Sequence, residues 1–373
     1  MTLSEVAVTA ALTNDYAGCR QAMAGHIADL EANGTKLDAL PAEWAATPEL
    51  ALRLSQLWQS HDGRNRASRR ALMAALARMP GFVPPMPGPD QPATDRLAHF
   101  EALLAPAPGE LTMWTDWPHA SDPPDFRGEV STSQAAAHEP SNWGTARLLD
   151  AYRLQHLHAM AEDRLGLLPG MIEDGAFGGL RFAIDGRIIS RDMLDGAMEL
   201  NFVARHAGLA RGDAFIWADI GAGWGRLVHR CLEGFPAARG LALDAVPYSA
   251  WTAEHYLRHR GVLGRAGVGG RALLQGSRPT VGSNVHSWSE APLASIRGWL
   301  DALAAAGTPW LFFVPHDEAA VSLEPEGPGQ PIIPEITARG WSLVAEQPKY
   351  GASPALGRHA LYPFVHYFLF RRG

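Results

Sequence analysis

The stretch Ile216-Trp-Ala-Asp219-Ile-Gly221-Ala-Gly223-Trp224-Gly225 constrains what this chain can fold into more than any other. An apolar run ends in an acidic residue and a G-x-G-x-G turn follows. Arg226 to Gly234 then reads as a helix closed by glycine. That order is a strand, a tight turn and a helix N-terminus. Glycines suit such a turn because the backbone reverses sharply and approaches a ligand closely, where a Cβ would obstruct it.

The spacing separates two kinds of nucleotide turn. A dinucleotide fold uses G-x-G-x-x-G/A, whose third small residue lets the helix pack closely on the strand. Here the third glycine comes one position early, and Arg226 stands where that motif needs Gly or Ala. Asp219 places a negative charge where a pyrophosphate is repelled but an amino or sulfonium group is welcomed. The plain alternative is a strand-turn-helix without a ligand.

A second acid strengthens the ligand reading. Ala238 to Leu243 reads as a strand ending in Asp244, nineteen residues after Gly225. A βαβ unit places the carboxylate that accepts hydrogen bonds from ribose hydroxyls at about that distance. A lone Asp at a strand end is usually a helix cap; paired with the glycine turn it becomes a ribose ligand. Val246 to Arg260 reads as a helix, whose Tyr248 and Trp251 could flank an adenine.

Asp219-Ile-Gly-Ala-Gly-Trp-Gly225 and Asp244 resemble motifs I and II of class I S-adenosylmethionine-dependent methyltransferases. Ser283-Asn-Val-His286-Ser-Trp-Ser-Glu290 resembles the fourth-strand segment of the sugar O-methyltransferase family, which shows E-I-G-G-G-Y-G and N-T-H-S-F-S-E-M in these places. This chain has Asp219 for the Glu, Trp224 for the Tyr and Ala291 for the Met. The first two changes keep charge and aromatic character; the third weakens the match. The resemblance covers roughly Gly186 to Gly373. It implies that Asp219, Gly221, Gly223, Trp224 and Gly225 hold the donor's methionine and ribose portions. Asp244 and Ala245 would hold the ribose and Gln275 the adenine.

The other elements fit a doubly wound, seven-stranded Rossmann-like sheet. Arg271 to Gln275 reads as a short third strand and Val281 to Ser287 as the fourth. Pro292 to Ala306 carries Leu293, Ile296, Leu300 and Leu303 at helical spacing. Trp310 to Val314 is too apolar to alternate and reads as a fully buried fifth strand. Pro331 to Arg339 reads as a helix. Trp341 to Glu346 and Phe364 to Phe370 read as a terminal antiparallel hairpin, its last strand covered on both faces.

Ligands of open α/β sheets bind beyond the carboxyl ends of the strands at the topological switch point. Strand four delivers Asn284, His286, Ser287 and Glu290 there, and strand five delivers His316 and Asp317. An alcohol is a poor nucleophile until its proton leaves, and histidine titrates near working pH. His286 is the first candidate base and His316 the second, with Glu290 or Asp317 orienting the imidazole. His286 could instead hold the methionine carboxylate or satisfy a buried carbonyl. His316-Asp317-Glu318 could supply oxygen ligands to a divalent metal, but no carboxylate pair with clear ligand spacing indicates one. His156 and His158, two apart on a helix, do not face the same side and read as ordinary surface or core residues.

At 373 residues the chain exceeds one average domain. Residues 1–180 are expected to form a mainly helical N-terminal region and 181–373 the methyltransferase domain. Leu3 to Asn33, Pro48 to Met79 and Asn142 to Arg164 read as helical. Pro80 to Pro92 reads as a linker or strap, since prolines interrupt helix, and Leu111 to Ser141 as a loop. Trp114 and Trp117, beside Asp116 and His119, either anchor that loop or offer a carbohydrate platform. The N-terminal region caps the acceptor site or dimerises, so a homo-oligomer stays open.

A net charge of −7 with no Lys/Arg block disfavours nucleic acid as a partner. No apolar run approaches a membrane span, and the N-terminus lacks a basic leader. The expected compartment is the cytoplasm, and the Ala/Arg/Gly/Pro bias suggests a bacterial genome. Cys19 and Cys231 read as reduced core thiols. The expected reaction is methyl transfer to a sugar or glycoside hydroxyl. The alternatives are O- or N-methylation of another small molecule and a catalytically silent, cofactor-binding subunit.

Overall fold

The computed structural model describes residues 81–83, 94–104, 145–173, 181–316, 318–351 and 365–373. The expectations for residues 1–80, the proline-rich strap beyond Val83, the loop with Trp114 and Trp117, Cys19 and Asp317 lie outside these residues. In chain order the elements are α1 (Thr94–Leu103), α2 (Thr145–Glu162), β1 (Arg181–Ile184), β2 (Arg187–Ser190) and α3 (Arg191–Ala207). Then come β3 (Ile216–Ile220), α4 (Arg226–Gly234), β4 (Arg239–Leu243), α5 (Pro247–His259), β5 (Ala266–Gly269) and β6 (Val281–Val285). Last are α6 (Leu293–Ala305), β7 (Trp310–Val314), α7 (Ile333–Ala338), β8 (Trp341–Pro348) and β9 (His366–Arg372).

The described residues group into two compact units, dividing within α3 after Met198. In the first, β1 and β2 pair antiparallel from Arg181↔Ser190 to Ile184↔Arg187. The two-residue connection Asp185-Gly186 has φ of 52° and 75°, as a tight hairpin turn twisted to match its strands requires. Tyr152 of α2 packs on Phe182 of β1, ring centroids 4.7 Å apart. His156 and His158 are both buried, hence core residues. Burial, then the charge of Arg187, lowers the pKa of His156 to about 4.

The second unit contains the seven-stranded sheet, ordered β5-β4-β3-β6-β7-β9-β8. β3, β4, β5, β6 and β7 run parallel; β9 lies antiparallel between β7 and β8. This is a doubly wound Rossmann-like sheet. The chain winds outward from β3 through β4 to β5, then returns to lay β6 on the other side of β3, so the switch point lies between the ends of β3 and β6. One face packs Ala218, Ile220, Phe313, Phe368 and Phe370 against Ile296, Leu300 and Leu303 of α6 and Ile336 of α7. On the other face Phe202 of α3 meets Phe312 and Tyr367. Tyr367, Phe368, Leu369 and Phe370 are all buried, so β9 is covered on both sides as its composition implied.

Two strands depart from expectation. The third strand is Ala266–Gly269, and Arg271–Leu274 forms a 3-10 turn instead. Ala-Gly-Val-Gly lacks the apolar pattern of a buried strand; its glycines make room for Leu241 and Leu273, which sit 3.0–3.1 Å from where Cβ atoms on Gly267 and Gly269 would stand. The fourth strand stops at Val285, because Asn284 and Ser287 pull the chain out of the sheet to bond the neighbouring turn.

Candidate functional site

The glycine turn after β3 is built by backbone geometry. Gly221, Gly223 and Gly225 have φ of 68°, 55° and 84°, the left-handed region where a Cβ is strained. The N–H groups of Gly221 and Ala222 both donate to the carbonyl of Leu243 at 2.7 and 3.0 Å, tying the turn to the end of β4. Among the described residues no atom beyond the chain neighbours lies within 4 Å of where a Cβ on Gly223 would stand, so the turn is open there. Trp224 lies back on Tyr256 with ring centroids 5.2 Å apart. Gly240 of β4 admits α4, since a Cβ on it would lie 2.5 Å from Val228. The close helix approach that the dinucleotide motif obtains from a third small residue is thus provided from the strand.

From β6, Asn284 Nδ2 donates to the carbonyl of Ile220 at 2.9 Å, and its Oδ1 accepts from Trp288 N–H at 3.1 Å. Ser287 Oγ also reaches the Ile220 carbonyl at 3.3 Å. Asn284 and Ser287 therefore clasp the start of the glycine turn.

Two carboxylates lie at the ends of adjacent strands. Asp244 accepts from Gly223 N–H and Val246 N–H, each at 2.9 Å on a different oxygen. Burial raises its pKa to about 6; the N–H groups of Val246, Gly223 and Ala245 pull it down and the charge of Glu290 pushes it up. Asp219 accepts from Ser283 Oγ at 2.6 Å, and Ser283 accepts from Trp217 Nε1 at 2.8 Å. Burial raises Asp219 to about 7, against the Ser283 hydrogen bond and the charge of Arg226, with Glu199 and Asp244 adding to the rise. Arg226, first residue of α4, holds Glu199 at 3.4 Å. Arg226, Glu199 and Asp244 thus all act on Asp219, and Glu290 acts on Asp244, so carboxylates outnumber the guanidinium in this network. Such surplus negative charge prefers a cationic ligand.

His286 follows β6 at φ 69°, and its N–H donates to Val314 at 2.7 Å. Its ring stacks on His316, 4.8 Å between centroids and 8° from parallel. His316 Nε2 lies 3.0 Å from Glu290 Oε1. His286, His316 and Glu290 are brought together, with the carboxylate on the Nε2 side of His316. Among the described residues no group of three or more His, Cys, Asp or Glu is arranged to hold a metal ion.

Beside Asp244 opens a cavity of about 570 Å3. Its walls include Ala245, Gly270, Leu274, Gln275 and Trp299, with Leu103 and Leu104 from the end of α1. Gln275 is exposed there. Tyr248 and Trp251, 5.4 Å apart on α5, are not among its walls. Sequence reasoning missed Ser283, Glu199 and the two leucines. Ser283 lay within the Ser283–Glu290 stretch, but nothing in the sequence tied α1 to this site.

Fold and site together define a doubly wound α/β unit with an acidic, glycine-built crevice at its switch point. No protein-family model matches the chain, and no curated protein does. Solved structures similar to it include an O-methyltransferase family protein from Burkholderia thailandensis, 14% identical over 49% of this chain and 59% of that one, TM-score 0.35. The pyocyanin biosynthetic protein PhzM is 16% identical over 48% and 56%, TM-score 0.35. LaPhzM is 22% identical over 48% and 58%, TM-score 0.33. The chain thus spans less than two-thirds of the length of each.

Proposed function

We propose that this chain is an S-adenosylmethionine-dependent methyltransferase acting on a hydroxyl of a small molecule. A sugar or glycoside is the acceptor class implied by the resemblance of Ser283–Glu290. The observation that carries the reading is the pair of buried carboxylates, Asp219 and Asp244, on either side of a turn of three left-handed glycines. Bound S-adenosylmethionine supplies an electrophilic methyl group on a sulfonium. The residues present fit it. Gly223 leaves open space for a close approach, and the surplus of carboxylates over Arg226 favours the donor's positive charges. Asp244 retains lone pairs beyond its two backbone bonds and can accept ribose hydroxyls. Ala245 and Gln275 border the cavity where the adenine would lie.

At the ends of β6 and β7, His286 accepts the proton of the acceptor hydroxyl, which raises that oxygen's nucleophilicity. His316, whose ring Glu290 orients through Nε2, is the alternative base. Asp317 keeps its place in this proposal beside His316, as the sequence suggests.

The test is calorimetric titration with S-adenosylmethionine, with NADH as control, followed by methyl-transfer assays on sugar and non-sugar acceptors. Saturable binding of the first ligand alone, lost in Asp244→Ala, supports the donor. Turnover on non-sugar acceptors alone overturns the sugar assignment. Donor binding without turnover on any acceptor points to a silent subunit. NADH binding alone overturns the reading altogether.

A further inference from the structure

The donor pocket has a wall that the doubly wound domain does not supply. Helix α1 lies far upstream of β3 yet packs within the same unit. Phe100 is buried, Arg96 forms an ion pair with Glu254 of α5, and the Arg96 guanidinium lies 5.2 Å from the Phe100 ring centre. Glu254 also binds Arg258 at 2.7 Å, so one carboxylate holds both guanidiniums. This anchoring sets the C-terminal end of α1 over the ends of β4 and β5. Leu104 lies so close to Gly270 that a Cβ there would stand 2.6 Å from Leu104 Cδ2 and 3.9 Å from the Asp244 carbonyl oxygen. Leu103 Cδ2 lies 3.8 Å from where a Cβ on Gly269 would stand.

Leu103 and Leu273 are 55% and 39% exposed, on the rim of a cavity whose inner end holds Asp244 and Gln275. Exposed leucines around a concave apolar slot gain by being covered. A purine ring has the flat apolar faces to cover them and edge nitrogens for a polar neighbour such as Gln275.

We propose that Leu103 and Leu104 form the face of the pocket against which the adenine packs, so that α1 sets the selectivity of this enzyme for the adenine of its donor. The proposal rests on the donor reading above and deepens it. The glycine turn and Asp244 grip the amino-acid and ribose portions, while α1 grips the base. Ligands that share the first two portions and differ in the third therefore separate the two contributions.

The experiment measures dissociation constants of S-adenosylhomocysteine and of S-ribosylhomocysteine, which lacks the base. The full chain is compared with Leu104→Ala and with Leu103→Ser, an exposed position whose change leaves the fold intact. Leu104→Ala is expected to weaken S-adenosylhomocysteine about tenfold and Leu103→Ser about threefold, with S-ribosylhomocysteine unchanged in both. Equal losses for both ligands would show that the leucines merely support the fold and would overturn the wall. Unchanged affinity for S-adenosylhomocysteine overturns it too, while leaving the donor reading intact. Absence of S-adenosylhomocysteine binding in the unaltered chain overturns both.

Discussion

Ser287 occupies the space that a side chain on Gly221 would need: a Cβ on that glycine would lie 1.8 Å from Ser287 Oγ and 2.4 Å from its Cβ. The glycine turn and the segment after β6 thus interlock, and neither is free to vary alone. Gly221→Ala meets two separate penalties. The left-handed φ costs about 1–2 kcal/mol, and the overlap adds about 1–3 kcal/mol. The expected result is a large loss of stability in urea unfolding. Ser287→Gly added to that variant should recover the overlap penalty and leave the φ penalty.

Ser283 serves two buried partners at once, so removing its hydroxyl orphans both. Ser283→Ala is expected to cost about 1–3 kcal/mol for each of Trp217 Nε1 and Asp219 left without its bond. Chemical denaturation measures it. A cost under about 0.5 kcal/mol would mean that the chain of bonds relaxes onto other groups.

Asp219 at about 7 and Asp244 at about 6 both stand above the ordinary carboxyl value of 3.8. The folded chain therefore binds more protons than the unfolded chain between pH 4 and these values. Stability from these two groups is greatest at the acid end and falls as pH rises through about 4 to 7. Asp219→Asn should flatten that part of the profile, gaining on the parent most above pH 7. A cationic donor favours the ionised carboxylates, so its binding should strengthen as pH rises through 6 to 7 and release protons below that. Calorimetry in buffers of different ionisation enthalpy counts the protons.

In the proposed reaction, loss of the base's imidazole should lower kcat by about 10²–10⁴ while leaving donor affinity unchanged. His286→Ala is expected to show this. If His316→Ala shows it instead, the base belongs to the His316–Glu290 pair. Glu290→Gln then lowers kcat as well.

The legible parts of the sequence were those where one stretch carried both local geometry and chemistry. Asp219 to Gly225 announced a strand, a turn and a helix start together, and Trp310 to Val314 was apolar enough to admit only a buried strand. β5 was misread because Ala-Gly-Val-Gly has almost no side chains to show a period, while the neighbouring Ala-Leu-Leu looked strand-like. The stop of β6 was hidden because side chains of Asn284 and Ser287, not backbone propensity, draw the chain from the sheet. The sequence offers Glu290 to either imidazole, and its contact with His316 joins the ends of two strands. α1 was unreadable for a similar reason. Its partners lie about 160 residues away at Glu254 and Gly270, and no local pattern records a contact of that range.

β9 lies between β7 and β8 although it follows both in the chain. Until it arrives, β7 offers an unpaired edge made of Trp310, Leu311, Phe312, Phe313 and Val314, and β8 has no partner. A sheet that forms before β9 docks presents this apolar strand as an open edge, the kind of surface that recruits other unfolded chains. Closing it needs contacts between distant parts of the chain, which are slow to form. Protection from aggregation matters most from the emergence of Val314 until the strand ending at Arg372 docks beside it.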